Sequence, residues 1–433
     1  MRMGNMNSIT RSTVFIMATL FLPLTCLSET IELRMSWWGG NQRHQATRQA
    51  LDAFEQAYPN IKVKSEPGGF DGQLQRLATQ VAGNSEPDVM QINWNWLPVF
   101  SKNGDGFYDL NKLDKEIDLS QFNEQGKNMV MLKDKLNGIP VSLTARLFYY
   151  NAEPWRKAGL NYPTTWDELF SAGKVFKEKL GQDYYPLSIY PNTEIVALLN
   201  TYMVQKYNIP MIDEENKKFN YTKDQWIDFF GFYKKLLDNH VIPPAVSYYA
   251  SFGKSNPWEI KPWMNGQLGG KYLWTTDNIY APNLKDPEDY VLGPFIKQPE
   301  AKEAGLFFKP GLIFSIGKNT RYPKESAQLV NFLLNDPRGI TIMGLQRGVP
   351  LSEKAVKILQ EQKMIDDNNL QLKSLRQMEE FIGHVNVSTF LEDAQFQTLM
   401  VKYIERIEQG RGSLDEIATA FPKEAERVLK RFF

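Results

Sequence analysis

Cysteine is almost missing from this chain: 433 residues contain one, Cys26. An intramolecular disulfide, a CxxC redox pair or a thiolate metal site each needs more than one, so all three are excluded. Histidine is nearly as scarce, with three scattered copies, which argues against an imidazole-rich metal centre. Net charge is also lacking, because Lys+Arg and Asp+Glu each number 50. That balance gives no reason to expect nucleic acid or an anionic membrane surface as a partner. Long apolar runs are absent after the N-terminus. The run at 13–24 (TVFIMATLFLPL) falls short of the ~20 residues a helix needs to span ~30 Å of hydrocarbon.

Catalytic fingerprints are missing as well. There is no GxxxxGK[ST], no GxGxxG after a strand, no HExxH and no GxSxG. Gly253-Lys254-Ser255 imitates the end of a phosphate loop, but Tyr248 stands where the earlier glycine is required. Asn103-Gly104-Asp105-Gly106 lacks the spaced ligands of a calcium loop and reads as a tight turn. No catalytic residue, cofactor or metal is assigned. A carboxylate pair for glycoside hydrolysis stays an open alternative, since any two acids can meet in space.

What is present begins with an export pattern. Arg2 and Arg11 precede the apolar run, and Thr25, Cys26 and Ser28 are small residues beyond it. This reads as a secretory signal over 1–28, cut after Ser28. Cys26 opens a lipoprotein alternative, disfavoured because Pro23-Leu24-Thr25 is a poor lipid-attachment context. The length suits two domains. Ile31-Glu32-Leu33-Arg34-Met35 and Ile61-Lys62-Val63-Lys64 alternate like strands, and 87–92 forms a third. Between them lie a helix opening at Asn41 and stopped by Pro59-Asn60, and a helix with Asp71 as its N-cap. Strand–helix alternation of this kind implies an α/β fold with a largely parallel sheet. Ligands of such sheets sit beyond the carboxyl ends of the strands, which marks loops 37–43, 69–71 and 93–96. Thr165 with Glu168 forms a capping box. An extended stretch at 141–150 crosses between lobes, 311–316 is a buried strand, 323–334 an amphipathic helix, and the tail from 375 is helical.

Ordered landmarks carry a resemblance over the whole mature chain. They include Gly138-Ile139-Pro140-Val141, Pro154-Trp155-Arg156-Lys157-Ala158-Gly159-Leu160, Pro163-Thr164-Thr165-Trp166-Asp167-Glu168-Leu169, Trp263-Met264-Asn265-Gly266-Gln267 and Gly348-Val349-Pro350. Together they resemble the family 1 extracellular solute-binding proteins of ATP-driven (ABC) importers, the group that includes maltose-binding proteins. Met35-Ser36-Trp37-Trp38-Gly39-Gly40-Asn41, Gln91-Ile92-Asn93-Trp94-Asn95-Trp96-Leu97-Pro98 and Tyr248-Tyr249-Ala250-Ser251-Phe252-Gly253-Lys254-Ser255 are similar to the periplasmic oligogalacturonide-binding proteins. The resemblance implies a two-lobed periplasmic binding protein fold with the ligand cleft between lobes. Lobe one is expected at 29–140 with about 305–345, and lobe two at 141–304 with about 346–433. It further implies a periplasmic monomer, a uronate oligosaccharide as ligand and the permease subunits of an ABC transporter as membrane partner. A neutral-sugar binder, an exported lyase or hydrolase, and a metal or polyamine binder are the alternatives.

A sugar presents apolar C–H faces and a rim of hydroxyls, so its site needs aromatic plates and planar polar groups. Trp38, Trp96, Trp274 and Tyr272 are expected to line the cleft, while Trp37, Trp94, Trp155, Trp166 and Trp226 read as core. Asn41, Asp71 and Asn95 are candidates for hydroxyls, with capping the stronger role for Asp71. A uronate carboxylate calls for cations, ideally a bidentate arginine. Arg43, His44, Arg146, Lys254 and Lys309 are the candidates. Arg146 and Lys309 interrupt apolar extended segments and therefore need partners. For them an internal salt bridge is the competing role.

Overall fold

The computed structural model describes residue 1 and residues 30–432, apart from 71, 277 and 386. The expected signal segment, Cys26 and Asp71 therefore lie outside the described residues. The three early strands form where alternation placed them: β1 at Ile31–Trp38, β2 at Ile61–Gly68 and β3 at Val89–Ile92. β1 pairs in parallel with β2 (Ile31 opposite Ile61) and with β3 (Met35 opposite Val89). Helix α1, Asn41–Ala57, buries Thr47, Ala50, Leu51 and Phe54 on one face, as the apolar spacing required. Helix α2, Gln73–Ala82, starts later than expected: its N-cap is Gly72, at φ 78°, not Asp71. That left-handed backbone suits glycine.

Strand β4, Ile139–Asn151, organises the molecule. All thirteen of its residues are buried, so it reads as a continuous apolar run rather than an alternating one. It shares one seven-stranded sheet with β5 (Gly270–Trp274), β6 (Tyr290–Leu292) and β7 (Phe308–Ile316). Its first half pairs antiparallel with β7, from Ile139 opposite Phe314 to Ala145 opposite Phe308. β7 pairs onward with β3. Its second half leaves that company and pairs with β5, from Arg146 opposite Trp274 to Tyr150 opposite Gly270, and with β6. The change of partners falls between Ala145 and Arg146, so Arg146 stands at the crossover. The register of β7 breaks around Gly311. Pro310 has no N–H to donate, and a Cβ on Gly311 would lie 2.8 Å from the Ser142 hydroxyl. Bulges of this kind re-aim neighbouring side chains.

Helices cover the second half of the sheet. α3 (Trp166–Leu180) opens with the expected Thr165/Glu168 capping box, a device worth about 1 kcal/mol. α4 (Thr193–Tyr207) and α5 (Lys223–Asp238) follow. α6 (Pro323–Asn335) and α7 (Pro337–Met343) return to the first half. α8 (Glu353–Glu361) packs on α7 through Ile340, Val349, Ala355, Leu359 and Ile365. Residues of 349–365 thus share a small apolar cluster with Ile340 of α7. The tail is helical but broken into α9 (Leu370–Phe381), α10 (Ala394–Glu408) and α11 (Leu414–Phe432). α10 and α11 pack against α5. The mixed α/β, two-lobed architecture expected from the sequence is present. Trp37, Trp94, Trp155, Trp166 and Trp226 are all core residues, as read.

Candidate functional site

Where β4 changes partners, a cavity of ≈ 270 Å³ opens between β4, the bulge of β7, the end of β5, the first turn of α1 and the loop at 345–348. Arg43, Thr144, Trp274, Lys309, Gly311 and Arg347 are among its walls, with Gln371 of α9 opposite. Of the expected site residues, Arg43, Trp274 and Lys309 line it.

The cations around this cavity fall into two kinds. Arg146 is buried and donates from Nη1 to the Tyr272 carbonyl at 3.1 Å, with Glu194 Oε1 at 3.6 Å. Glu194 is itself held, accepting from the Tyr190 N–H at 2.8 Å. Lys309 pairs with Glu392 at 2.5 Å. Both cations lie against the Trp274 indole, at 4.3 Å for Arg146 and 4.7 Å for Lys309. The negative ring face stabilises them further. The competing role for these two cations, the internal ion pair, is the one the structure displays.

Arg43 and Arg347 differ. Arg43 donates from Nε to the Gln346 carbonyl at 2.8 Å and from Nη1 to the Trp38 carbonyl at 3.3 Å. Glycine at 39 makes this possible, since a Cβ there would sit 2.5 Å from Arg43 Cδ. Arg347 donates from Nε to Gln91 Oε1 at 2.8 Å and from Nη2 to Thr47 Oγ1 at 3.0 Å. Its guanidinium lies 5.3 Å from the Phe314 ring. Every oxygen acceptor here is neutral. Among the described residues, neither arginine forms an ion pair with a carboxylate. Burial pulls both below the ordinary arginine pKa, and Arg43 adds repulsion at Arg347. An arginine cannot shed its proton, so two positive charges, Arg43 half-buried and Arg347 buried, face one cavity without a compensating carboxylate among the described residues. Sequence reading missed Arg347. Its one signal was position, directly before the Gly348-Val349-Pro350 landmark.

The remaining candidates scatter. His44 accepts the Trp37 indole N–H at its Nδ1, 3.1 Å away, and burial followed by nearby arginines depresses its pKa. That hydrogen bond ties the half-buried ring to the core indole of Trp37. Asn41 and Lys254 are exposed. Asn95 keeps a buried Oδ1 with no hydrogen-bond partner among the described residues. Tyr272 is not a cleft plate. It is fully buried, its hydroxyl is 2.9 Å from Thr201 Oγ1 and its ring packs on Phe148. Trp38 and Trp96, expected as plates, are 6% and 4% exposed and pack on each other at 4.9 Å. The ring that faces outward from this pair is Phe70, 53% exposed, stacked on Trp96 at 5.9 Å. Loop 69–71 was marked from sequence, but only Asp71 was singled out in it.

No group of His, Cys, Asp or Glu among the described residues could hold a metal ion, and no helix there is long and apolar enough to cross a membrane.

Residues 40–338 match the family described as bacterial extracellular solute-binding protein. A periplasmic oligogalacturonide-binding protein from Yersinia enterocolitica, solved in complex with saturated digalacturonic acid, is 51% identical. It superposes with a TM-score of 0.83, covering 93% of this chain and 99% of its own. A de novo designed cysteine esterase is 50% identical at TM-score 0.89, over 93% of this chain and 99% of that one. At lower identity, the arabinooligosaccharide-binding protein of Bacillus subtilis (strain 168) is 23% identical over 306 residues, 68% of each chain.

Proposed function

The chain belongs to the bacterial extracellular solute-binding protein family, and from that premise we propose that its cleft captures acidic oligosaccharides, oligogalacturonides first, for delivery to an ABC transporter. The observation that carries this reading is the pair Arg43 and Arg347 on one cavity, neither of them paired with an acid among the described residues. Two guanidiniums held by neutral acceptors only are matched to a ligand carboxylate, which would supply the missing charge. Thr144, Thr276 and Gln371 on the same walls offer partners for sugar hydroxyls, and Trp274 offers a ring face. The digalacturonic acid named for the Yersinia relative supports the same class of ligand.

The reading includes binding without turnover. The designed esterase among the similar structures is named for a cysteine, and the one cysteine here, Cys26, lies outside the described residues. Capture would proceed by closure of two lobes about β4, with ligand contacts to both stabilising the closed form that permease subunits recognise. Lobe one would comprise 30–140, 305–345 and the stretch to about 365, and lobe two the rest. Export through the 1–28 segment and a monomeric state complete the proposal.

Titration calorimetry with digalacturonate and with a neutral disaccharide of the same linkage tests it. Binding of the diacid, weaker binding of the neutral sugar and no unsaturated-bond absorbance on incubation are expected. Equal binding of both sugars would overturn the acid-sugar reading. Product formation would overturn the binding-only reading.

A further inference from the structure

We propose that Glu392 is a specificity-determining residue, a built-in carboxylate that reserves Lys309 and so limits how many uronate carboxylates the cleft accepts. This rests on the acidic-sugar reading of the same site. Lys309 lines the cavity and lies over the Trp274 ring, so its ammonium is where a second ligand carboxylate would dock. Glu392 already holds it, and both side chains are almost fully enclosed, 11% and 8% exposed.

The acid is held by the backbone around it. It ends the turn Thr389–Glu392, whose N-cap Ser388 accepts from the Phe390 N–H and donates its hydroxyl to Glu214. Phe390 anchors the turn in the core. The turn also lies beside the Trp94–Trp96 turn. A ligand carboxylate approaching Lys309 would meet a fixed like charge, and like charges on one desolvated site repel strongly. Among the described residues, Arg43 and Arg347 have no such guard. The cleft therefore clamps one carboxylate at the arginines and turns a second away at Lys309.

Glu392→Gln keeps the shape and a hydrogen-bond acceptor but removes the guard charge. In calorimetry its affinity for digalacturonate should rise about tenfold, and its salt dependence steepen. Affinity for the neutral disaccharide should not change. An unchanged or lower diacid affinity in a folded Glu392→Gln protein, checked by circular dichroism, overturns the proposal. So does an equal gain for the neutral sugar. A second measurement uses the wild-type protein, so the test survives if the variant does not fold. One of the two monomethyl esters of digalacturonate should bind within about threefold of the diacid, since a single carboxylate is clamped. Loss of more than about tenfold with both esters overturns it. If wild-type protein binds no uronate at all, the acidic-sugar reading itself fails. If it binds and Glu392→Gln matches it, only the guard fails.

Discussion

The two ends of the cavity use the same chemistry for opposite purposes. At the β4–β5 end, Arg146 and Lys309 are each answered by an acid of the protein, Glu194 and Glu392. At the α1 end, Arg43 and Arg347 are answered by carbonyl, amide and hydroxyl oxygens, all of them neutral. A buried charge with its counter-charge is part of the fold, and breaking the pair strands the survivor. A buried charge held by neutral dipoles is oriented but not neutralised, which leaves it able to attract a ligand. Position in the cleft therefore says less about binding than the identity of the partners does.

The largest effect that could break this comparison is on stability. Glu194→Gln leaves the Arg146 guanidinium buried without its carboxylate, with Nε already lacking a partner. We expect a loss of about 3–5 kcal/mol, read as a lower urea midpoint at unchanged slope. Arg347→Met, at the other end, should shift stability by less than about 1 kcal/mol, because the desolvation it relieves offsets the hydrogen bonds it loses. Equal destabilisation by the two substitutions would erase the distinction between the ends.

Lys271 sharpens the contrast from outside the cavity. It is fully buried on β5, hydrogen-bonded to the Tyr249 hydroxyl, and among the described residues no carboxylate forms an ion pair with it. Burial lowers its pKa to about 8, against a partial opposing pull from Glu194. An ammonium can escape an uncompensated site by losing its proton, as a guanidinium cannot. The folded pKa lies below the unfolded value, so between pH 8 and about 10.5 the unfolded chain binds more protons and stability rises with pH. Below pH 8 the wild type carries the whole charging cost, roughly 3 kcal/mol. Lys271→Met removes that dependence. The stability gap between variant and wild type, followed by thermal melts from pH 7 to 10, should close by roughly that amount. A gap that stays constant would mean that Lys271 does not titrate in this window.

Binding comes next in size. Arg43→Ala should weaken digalacturonate by about 2 kcal/mol, near thirtyfold in Kd, and lower the salt dependence with it. Binding of the neutral disaccharide should be little altered. If Arg43→Ala reduces both sugars alike, Arg43 shapes the cleft but does not read charge.

Legibility in the sequence followed the range of the physics. Alternation gave β1 and β2, apolar spacing gave α1, and a Thr and a Glu three residues apart gave the start of α3, because each depends on neighbours along the chain. The need of Arg146 and Lys309 for partners was also visible, since each breaks an apolar run. Which partner each had was not. Glu392 is 83 residues from Lys309, and Gln91 is 256 from Arg347. Only the fold brings them together, and it decides whether a cation is satisfied or free. Asp71 was misplaced as a cap for a smaller reason: Gly72 follows it, and the left-handed turn belongs to the glycine.

The aromatic rings repeat the contrast at lower energy. Trp38 and Trp96 carry the sequence features of sugar plates, yet their faces are spent on each other and on the core. Phe70 stacks on Trp96 and meets Trp38 edge-on, yet stays half exposed. An exposed ring can gain from a sugar's C–H face what a buried ring has already gained from its neighbours. Phe70→Ala should therefore cost about 1 kcal/mol of oligosaccharide affinity, near fivefold, with melting temperature unchanged. It should act alike on charged and neutral sugars, because a phenyl face reads no carboxylate. Because Arg43→Ala is expected to separate the two sugars and Phe70→Ala is not, the pair of variants tells charge reading from stacking. A loss confined to the diacid in Phe70→Ala would mean that the ring acts by holding the arginine end in place and not by touching sugar.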